Sequence, residues 1–339
     1  MSPAPLSRRA AVRSLAAAAA STLPLAIPAC RRGEVKRPNG PVFPVALLPC
    51  PDYDPANLAK ALAEGWAAAP PPDVHGKRVV IKPNIADFSQ DRPIHTDARL
   101  VEALILLLRD AGAGEVVVAE GPPHNRDTEW LFRQTGYEDL ARRLGVPLVD
   151  LNHDDVRPVR NADPRAKALR ELYLPETILS ADVVVSVPKL KTHRFAGLTL
   201  SLKNMFGAVP GMKYGWPKNV LHWNGIPLSI CEVNATVRTR YSVVDGVVGM
   251  EGYGPILGTA KRAGVLVMGP NALAVDAVSA RVMGVDPARV DYLAMAQAIE
   301  LGSLRPEDIR LTGASLDDVR TDFILPPGFS ALRPGAPRG

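Results

Sequence analysis

The chain has 339 residues, of which 47% are hydrophobic and 22% charged, a composition that excludes global disorder and suits a folded protein of up to two domains. Seven basic residues but only one acidic residue lie within residues 1–37, which leaves 33 basic against 34 acidic residues elsewhere. The body is therefore close to neutral, and we expect no nucleic-acid-binding surface despite the net charge of +5.

The N-terminal segment has the pattern of an export signal. Arg8 and Arg9 precede an apolar, alanine-rich run over residues 15–27, too short to span a bilayer core of about 30 Å. The arginine pair resembles a twin-arginine signal, and Ala29-Cys30 resembles a lipoprotein cleavage box. We expect export to the periplasm by the twin-arginine machinery, with membrane contact only through a lipid on Cys30. The alternative is an ordinary signal cleaved near Ala29, with Cys30 unmodified.

The body alternates between short apolar runs and amphipathic segments. The Pro-rich stretch 38–51 is predicted to wrap the surface. Strands are predicted at 77–81, 115–119, 146–151, 183–187, 242–244 and 265–268, and helices at 55–68, between Asp97 and Gly112, at 128–144 and at 272–283. Strand–helix–strand units at this spacing predict parallel pairing with right-handed crossovers.

These elements predict an α/β fold with mainly parallel sheets and flanking helices. We expect two lobes with the site in the cleft between them. The predicted divisions are a signal peptide and linker at 1–37, an N-terminal α/β lobe at 38–240, a smaller C-terminal α/β lobe at 241–325 and a flexible tail at 326–339.

The cysteine count limits the cofactor chemistry. Beyond Cys30, only Cys50 and Cys231 remain, whereas an iron–sulfur cluster usually needs four thiolates. We therefore expect no such cluster. Two unpaired structural thiols are expected, and a single disulfide between them is the alternative.

Polar side chains follow the carboxyl ends of five predicted strands. They are Lys82, Asn84, Glu120, His124, Asp150, Asn152, Lys189, Lys191, His193 and Asp245. Ligands of open α/β sheets bind in the crevice outside those strand ends. We therefore expect a shared active site here, with Lys82, Asn84, Lys189 and Lys191 binding substrate. Taken singly, each residue could instead belong to a turn or a helix cap.

The densest polar stretch runs from residue 189 to residue 204 and is followed by His222. Its three lysines and one arginine around His193 favour an anionic ligand such as a carboxylate or phosphate; the alternative is a solvated charged loop. Lys203 lies inside the apolar run 198–207. Such a lysine either extends to the surface or occupies a site that shifts its pKa.

Five motifs together resemble the family called domain of unknown function 362, over roughly residues 75–305. They are Val79-Val-Ile-Lys-Pro-Asn84, Val118-Ala-Glu-Gly-Pro122, Val187-Pro-Lys-Leu-Lys-Thr-His193-Arg-Phe-Ala-Gly197, Ser201-Leu-Lys-Asn-Met-Phe-Gly207 and Val244-Asp-Gly246. The family name implies no reaction. Many relatives carry an additional ferredoxin-type segment, and the cysteines of that segment are missing from this sequence.

A more distant resemblance implies a reaction. His193-Arg-Phe-Ala-Gly197, with Lys203 ten residues after the histidine, is similar to a motif of the nickel-pincer lactate racemases. The resemblance implies that Lys203 carries a nickel-pincer nucleotide or another metal cofactor, that His222 binds the metal, and that His124 and His193 are the two acid–base residues.

Three functions follow as hypotheses. The first is an exported racemase- or epimerase-like enzyme that transfers hydride and protons on a small anionic 2-hydroxy compound. The second is a lipoprotein that binds a solute or cofactor without turnover. The third is a metal-dependent hydrolase centred on Asp245.

Overall fold

A computed structural model describes residues 41–123 and 127–337. The strands within these ranges are β1 (Phe43–Pro49), β2 (Arg78–Pro83), β3 (Glu115–Glu120), β4 (Leu148–Asp150), β5 (Val156–Arg160), β6 (Glu171–Pro175), β7 (Val183–Val187), β8 (Lys189–His193), β9 (Gly197–Thr199), β10 (Tyr241–Glu251), β11 (Thr259–Lys261), β12 (Val265–Gly269) and β13 (Ile309–Gly313).

Helices connect and cover these strands. They are α1 (Pro55–Ala68), α2 (Ala98–Asp110), α3 (Thr128–Gln134), α4 (Tyr137–Leu144), α5 (Glu176–Leu179), α6 (Ser201–Asn204), α7 (Gly211–Tyr214), α8 (Asn219–Trp223), α9 (Ile226–Val237), α10 (Ala272–Val282), α11 (Asp291–Ala298) and α12 (Leu316–Val319). Short 3₁₀ turns lie at Met205–Ala208, Pro287–Arg289, Pro306–Asp308 and Ser330–Leu332. None of the helices in the described ranges is long and apolar enough to cross a membrane.

The main sheet has the strand order β13-β1-β12-β10-β7-β2-β3-β4. Strands β10, β7, β2, β3 and β4 are parallel neighbours, whereas β12 runs antiparallel to both β1 and β10. This confirms the predicted α/β fold with a mainly parallel sheet. Strands β5 and β6 form a separate hairpin.

Both faces of the central strands β2, β3, β7 and β12 are buried, as is typical of strands that are nearly continuous apolar runs. Successive residues face opposite sides: Val80 packs into one core cluster, while Val79 and Ile81 pack into the other. Helices α1, α2 and α4 cover the second cluster, and α9, α10 and α11 cover the first. The free thiols Cys50 and Cys231 are buried in different clusters, so they do not pair.

The structure corrects three local predictions. The sheet continues through residue 240, since β10 pairs with β7 on one side and β12 on the other, and the described residues from 41 onward belong to one compact unit. No lobe boundary lies at residue 240. The stretch predicted to wrap the surface contains β1, an internal strand between β12 and β13. The helix predicted at 128–144 is divided in two at Gly136, whose φ is 79°.

Candidate active site

A cavity of about 290 Å³ opens beyond the carboxyl ends of β2 and β3. Strands β8 and β9 and helices α6 and α8 complete its walls. Its polar lining consists of Lys82, Asn84, Glu120, Lys191, His193, Arg194, Thr199, Lys203, Asn204, Lys218 and His222. Of the ten polar residues predicted to converge at strand ends, Lys82, Asn84, Glu120, Lys191 and His193 line this cavity, whereas Asp150, Asn152, Lys189 and Asp245 do not.

Six of the predicted site residues share this cavity. They are Lys82, Asn84, Lys191, His193, Lys203 and His222. Lys189 is not among the residues that line it. His124, Arg8, Arg9 and Cys30 lie outside the described residues.

The floor of the cavity contains a buried ion pair between Lys82 and Glu120. Lys82 Nζ lies 2.6 Å from Glu120 Oε1, and both side chains are excluded from solvent. The carboxylate oxygens of Glu120 also accept hydrogen bonds from the backbone N–H groups of Ile85 and Gly121, at 2.7 and 2.8 Å. Such a fully hydrogen-bonded pair tolerates burial. Lys82 is therefore held by protein groups rather than left available for substrate.

Two backbone segments, at Gly121 and Gly207, lie in close contact at this floor. A Cβ on Gly207 would lie 2.5 Å from Glu120 Oε1, and a Cβ on Gly121 would lie 2.6 Å from the Gly207 carbonyl oxygen. Only glycine at both positions allows the segment after α6 to contact the end of β3.

Lys189 forms a second buried ion pair outside the cavity. Its Nζ lies 2.7 Å from Asp245 Oδ2 and 2.9 Å from the Tyr53 hydroxyl oxygen. The Asp245 carboxylate also accepts hydrogen bonds from the Tyr53 hydroxyl and from the Asp97 backbone N–H. Because these groups satisfy one another, the structure assigns Lys189 and Asp245 to the packing between β8, β10 and the start of α2. Lys189 is thus paired within the protein and does not line the cavity in which substrate contact was predicted.

Three cavity lysines have no carboxylate within ion-pair distance among the described residues. Lys191 donates to the Ile94 carbonyl oxygen at 2.7 Å, and Lys218 donates to Asn152 Oδ1 at 3.2 Å and to the Val209 carbonyl oxygen. Burial lowers the pKa of both groups, well below the usual range for Lys191 and to about 7 for Lys218. A bound anion would stabilise the protonated forms of both lysines.

Lys203 is the third of these lysines. Its ammonium group lies 4.2 Å from the centroid of the Phe206 ring. Burial, together with the neighbouring charge of Lys82, lowers the pKa of Lys203 to about 8. An appreciable neutral, nucleophilic fraction is therefore present near neutral pH.

The carboxylate of Asp276 fixes the one-turn helix that carries Lys203. Asp276 is fully buried on α10 and accepts the backbone N–H groups of Ser201 at 2.7 Å and Leu202 at 2.9 Å. These are orphan donors at the start of α6, which its own residues cannot satisfy. Burial raises the pKa of Asp276 to about 7.

His193 closes the tight turn between β8 and β9. Its Nδ1 accepts the backbone N–H groups of Phe195 and Ala196, both at 3.1 Å. The single ring proton of the neutral imidazole therefore resides on Nε2. Burial and the charge of Lys203 lower the pKa of His193 well below its ordinary value, so the ring stays neutral. In this arrangement His193 donates a hydrogen bond and cannot abstract a proton, which revises its predicted acid–base role.

His222 has the opposite arrangement. Its Nδ1 lies 3.1 Å from the Lys218 carbonyl oxygen, which can only accept, so Nδ1 carries the proton and Nε2 carries a lone pair. The ring packs edge-on against Phe206, and burial lowers the pKa of His222. A lone pair at a cavity wall suits a proton acceptor or a metal ligand. Within the described ranges, no group of three or more His, Cys, Asp or Glu side chains could hold a metal ion by itself.

Two further polar atoms of the cavity are buried and have no hydrogen-bond partner among the residues that the structure describes. They are Asn84 Oδ1 and Thr199 Oγ1. An unsatisfied buried polar atom costs about 1–3 kcal/mol, so both atoms favour a bound polar ligand.

Sequence reasoning missed Lys218, Thr199 and Asp276. Lys218 directly precedes α8 in a short loop, where a lysine is normally exposed, and Asp276 lies within the mostly apolar helix α10, far along the chain from α6. The one available signal was the single carboxylate in that otherwise apolar helix, because an unpaired buried charge is costly.

Comparisons with known proteins place the chain among relatives. A thylakoid-associated protein of Synechocystis is 28% identical over 235 residues, covering 68% of this chain and 71% of that protein. The lactate racemase apoprotein of Thermoanaerobacterium thermosaccharolyticum is 15% identical with a TM-score of 0.40, over 64% of this chain and 54% of that one. A Thermotoga maritima protein is 12% identical with a TM-score of 0.36, over 60% and 52%.

The chain thus spans about half the length of each of these two solved structures. The family model described as domain of unknown function (DUF362) matches residues 79–281, which is more than half of the chain. The cavity residues Lys82, Glu120, His193 and Lys203 all fall inside this match. The chain belongs to the DUF362 family.

Proposed function

We propose that this protein is an enzyme that binds a small anionic 2-hydroxy compound in the cavity and isomerises it by proton and hydride transfer. One observation carries the proposal: the lining presents Lys191, Lys203 and Lys218 without carboxylate partners in the described part of the chain. The lining's one carboxylate, on Glu120, is already paired with Lys82. A bound carboxylate or phosphate would pair with the ammonium forms of these lysines, which burial alone disfavours.

The two histidines supply complementary hydrogen bonding to such a ligand. The Nε2–H of His193 would donate to a substrate oxygen, and its neutral state keeps that donor available across the physiological pH range. The Nε2 lone pair of His222 would accept a proton or bind a metal. His124 keeps its predicted acid–base role as part of the proposal.

The cavity contains the two types of side chain, a lysine and a histidine, that a covalently attached pincer group would need. Lys203 offers an amine at the cavity and His222 an imidazole nitrogen, and both side chains contact the Phe206 ring. The chemistry that such a group would supply when bound is acceptance of a hydride from the substrate carbon that bears the hydroxyl group. The chain's own part is to hold the anion, donate from His193 and exclude water.

Peptide mapping and turnover of protein from its native host test this proposal together. We expect Lys203 to carry added mass, and we expect turnover of a panel of 2-hydroxy acids, measured by chiral chromatography, to vanish in Lys203→Arg. Lys60→Arg, an exposed lysine on α1, is the matched control and should retain turnover. Unmodified Lys203 in a fully active sample contradicts the attachment. Anion binding without turnover by any preparation supports the non-catalytic lipoprotein instead.

Export is a separate part of the proposal. Arg8 and Arg9 support twin-arginine transport, and Cys30 supports lipid attachment in the periplasm. Replacing both arginines by lysine should keep the protein in the cytoplasm of its native host. Cys30→Ala should abolish labelling by radioactive palmitate; labelling that persists excludes Cys30 as the attachment site.

A further inference from the structure

The cavity has two chemically different sides. One side carries the lysines and histidines described above. What we call the apolar side consists of Ile85, Ala86, Pro255, Ile256 and Leu257, among which Ala86 and Ile256 pack in one apolar cluster. A purely polar three-carbon acid would satisfy the first side and leave the second in contact with water.

The apolar side continues onto the rim of the cavity. Phe195, Tyr253 and Leu257 line the cavity and are 58%, 47% and 53% exposed. They make up three of the nine large hydrophobic side chains that are exposed in the described part of the chain. Exposed apolar side chains that cluster at one cavity mark a binding surface, whereas scattered ones do not.

Backbone contacts hold this rim in place. The Arg194 N–H donates to the Gly254 carbonyl oxygen at 2.9 Å, and Thr192 Oγ1 donates to the Gly252 carbonyl oxygen at 2.8 Å. These bonds attach the β8–β9 turn, which carries Phe195, to the segment that carries Tyr253. The Arg194 guanidinium lies over both rings, 4.8 Å from the Phe195 centroid and 5.6 Å from the Tyr253 centroid. The rim is therefore built before a ligand arrives.

We infer that the ligand of this cavity is an amphipathic anion: one carboxylate or phosphate group joined to an aliphatic or aromatic portion that packs against Ile256, Leu257 and Phe195. This inference rests on the proposed function and narrows its substrate class. The cavity volume of about 290 Å³ lies just below the range of about 300–1,000 Å³ typical of pockets for drug-sized ligands. A ligand of that size has room for an apolar portion beside its anionic group.

A chain-length series of simple anions tests the inference on the purified full chain. Affinities of n-alkanoates from acetate to octanoate are measured by calorimetry, with an alkyl phosphate series as a second arm that separates the two headgroups. We expect affinity to rise about two- to fourfold per methylene, as burial of each methylene predicts. Leu257→Ser should reduce the octanoate affinity and flatten this slope. Leu106→Ser, at a leucine on α2 that is 47% exposed and does not line the cavity, is the matched control and should leave the slope unchanged.

The outcomes separate this inference from the proposed function. Equal affinities along both series, with acetate binding weakened by Lys191→Met, would overturn the apolar subsite and leave the anion site intact. Absence of binding by every member of both series contradicts the anion site and the subsite together. If Leu257→Ser and Leu106→Ser alter the gain in affinity per methylene equally, the alkyl chains bind elsewhere on the protein surface. That result also overturns the inference.

Discussion

His193 and His222 border one cavity in opposite hydrogen-bonding states. Nδ1 of His193 accepts two backbone N–H groups, whereas Nδ1 of His222 donates to a backbone carbonyl. The cavity therefore receives an N–H donor from the first ring and a lone pair from the second. The backbone, rather than the chemistry of histidine itself, decides which ring donates and which accepts.

This difference predicts distinct tautomers that nitrogen NMR can detect. In protein labelled with ¹⁵N-histidine, we expect His193 as the neutral Nε2–H form and His222 as the neutral Nδ1–H form at pH 7. Both pKa values are lowered by burial, so both rings should remain neutral at a pH where an exposed histidine is half protonated. Spectra of His193→Gln and His222→Gln provide the assignments. A positively charged His193 at pH 6.5 contradicts the prediction.

Lys203→Met should stabilise the protein while abolishing function. The pKa of Lys203 is lowered to about 8 in the folded state, so the ammonium form is disfavoured on folding. At pH 7 the substitution should raise the free energy of unfolding by about 2–3 kcal/mol. The unfolded chain binds more protons between pH 8 and 10.5, so the wild type gains stability as the pH rises through that window and the gap closes.

Urea denaturation of unmodified protein at pH 7 and at pH 10 measures this gap. Lys60→Met, at an exposed lysine on α1, is the control and should change stability little at either pH. A Lys203→Met protein that is less stable than wild type at pH 7 shows that Lys203 is paired with a group that compensates its burial.

Asp276→Asn should disturb the helix that carries Lys203. The asparagine side chain can accept only one of the two N–H groups, from Ser201 and Leu202, that the carboxylate satisfies, so we expect a loss of stability on the order of 3 kcal/mol. The pKa of Asp276 is raised to about 7 by burial, so the folded state binds more protons between pH 4 and 7. Wild-type stability should therefore fall as the pH rises through this window, and the variant should lack that component.

A second measurement distinguishes positioning of Lys203 from general destabilisation. Reductive methylation with formaldehyde, read by peptide mapping, gives the pH at which Lys203 is half reactive. We expect this pH to move in Asp276→Asn and to stay unchanged in Ser279→Ala, a substitution on the same helix. An unchanged midpoint in both variants limits Asp276 to a structural role.

Asp245→Asn should destabilise the protein without affecting the cavity. Removing this charge leaves the buried ammonium of Lys189 uncompensated, which typically costs about 3–5 kcal/mol. Acetate affinity, measured below the unfolding transition, should change less than twofold, whereas Lys191→Met should reduce it. A large loss of acetate affinity in Asp245→Asn would restore Lys189 as a ligand-binding residue.

The sequence by itself determined the α/β fold and the sheet edge at which the cavity lies. Apolar runs such as Val183–Val187 are buried on both faces and could only be interior strands, and the polar residues after β2 and β3 had to meet at one edge of a parallel sheet. Helix α2 was predictable for the same local reason, since Asp97 accepts the Arg99 N–H and caps a helix with a regular apolar face.

Only the tertiary structure decided the role of each charged residue. Lys189 and Lys191 are two residues apart on β8 and are equivalent in sequence pattern, yet Asp245 on β10 pairs with the first and no described carboxylate pairs with the second. Two other features depend on residues over 70 positions apart. One is the pairing of β1 inside the sheet, and the other is the capping of α6 by Asp276. The local sequence determines whether a segment favours helix or strand and which of its side chains are buried. The charged and polar groups that surround a buried lysine or carboxylate depend instead on which distant strand or helix packs against it.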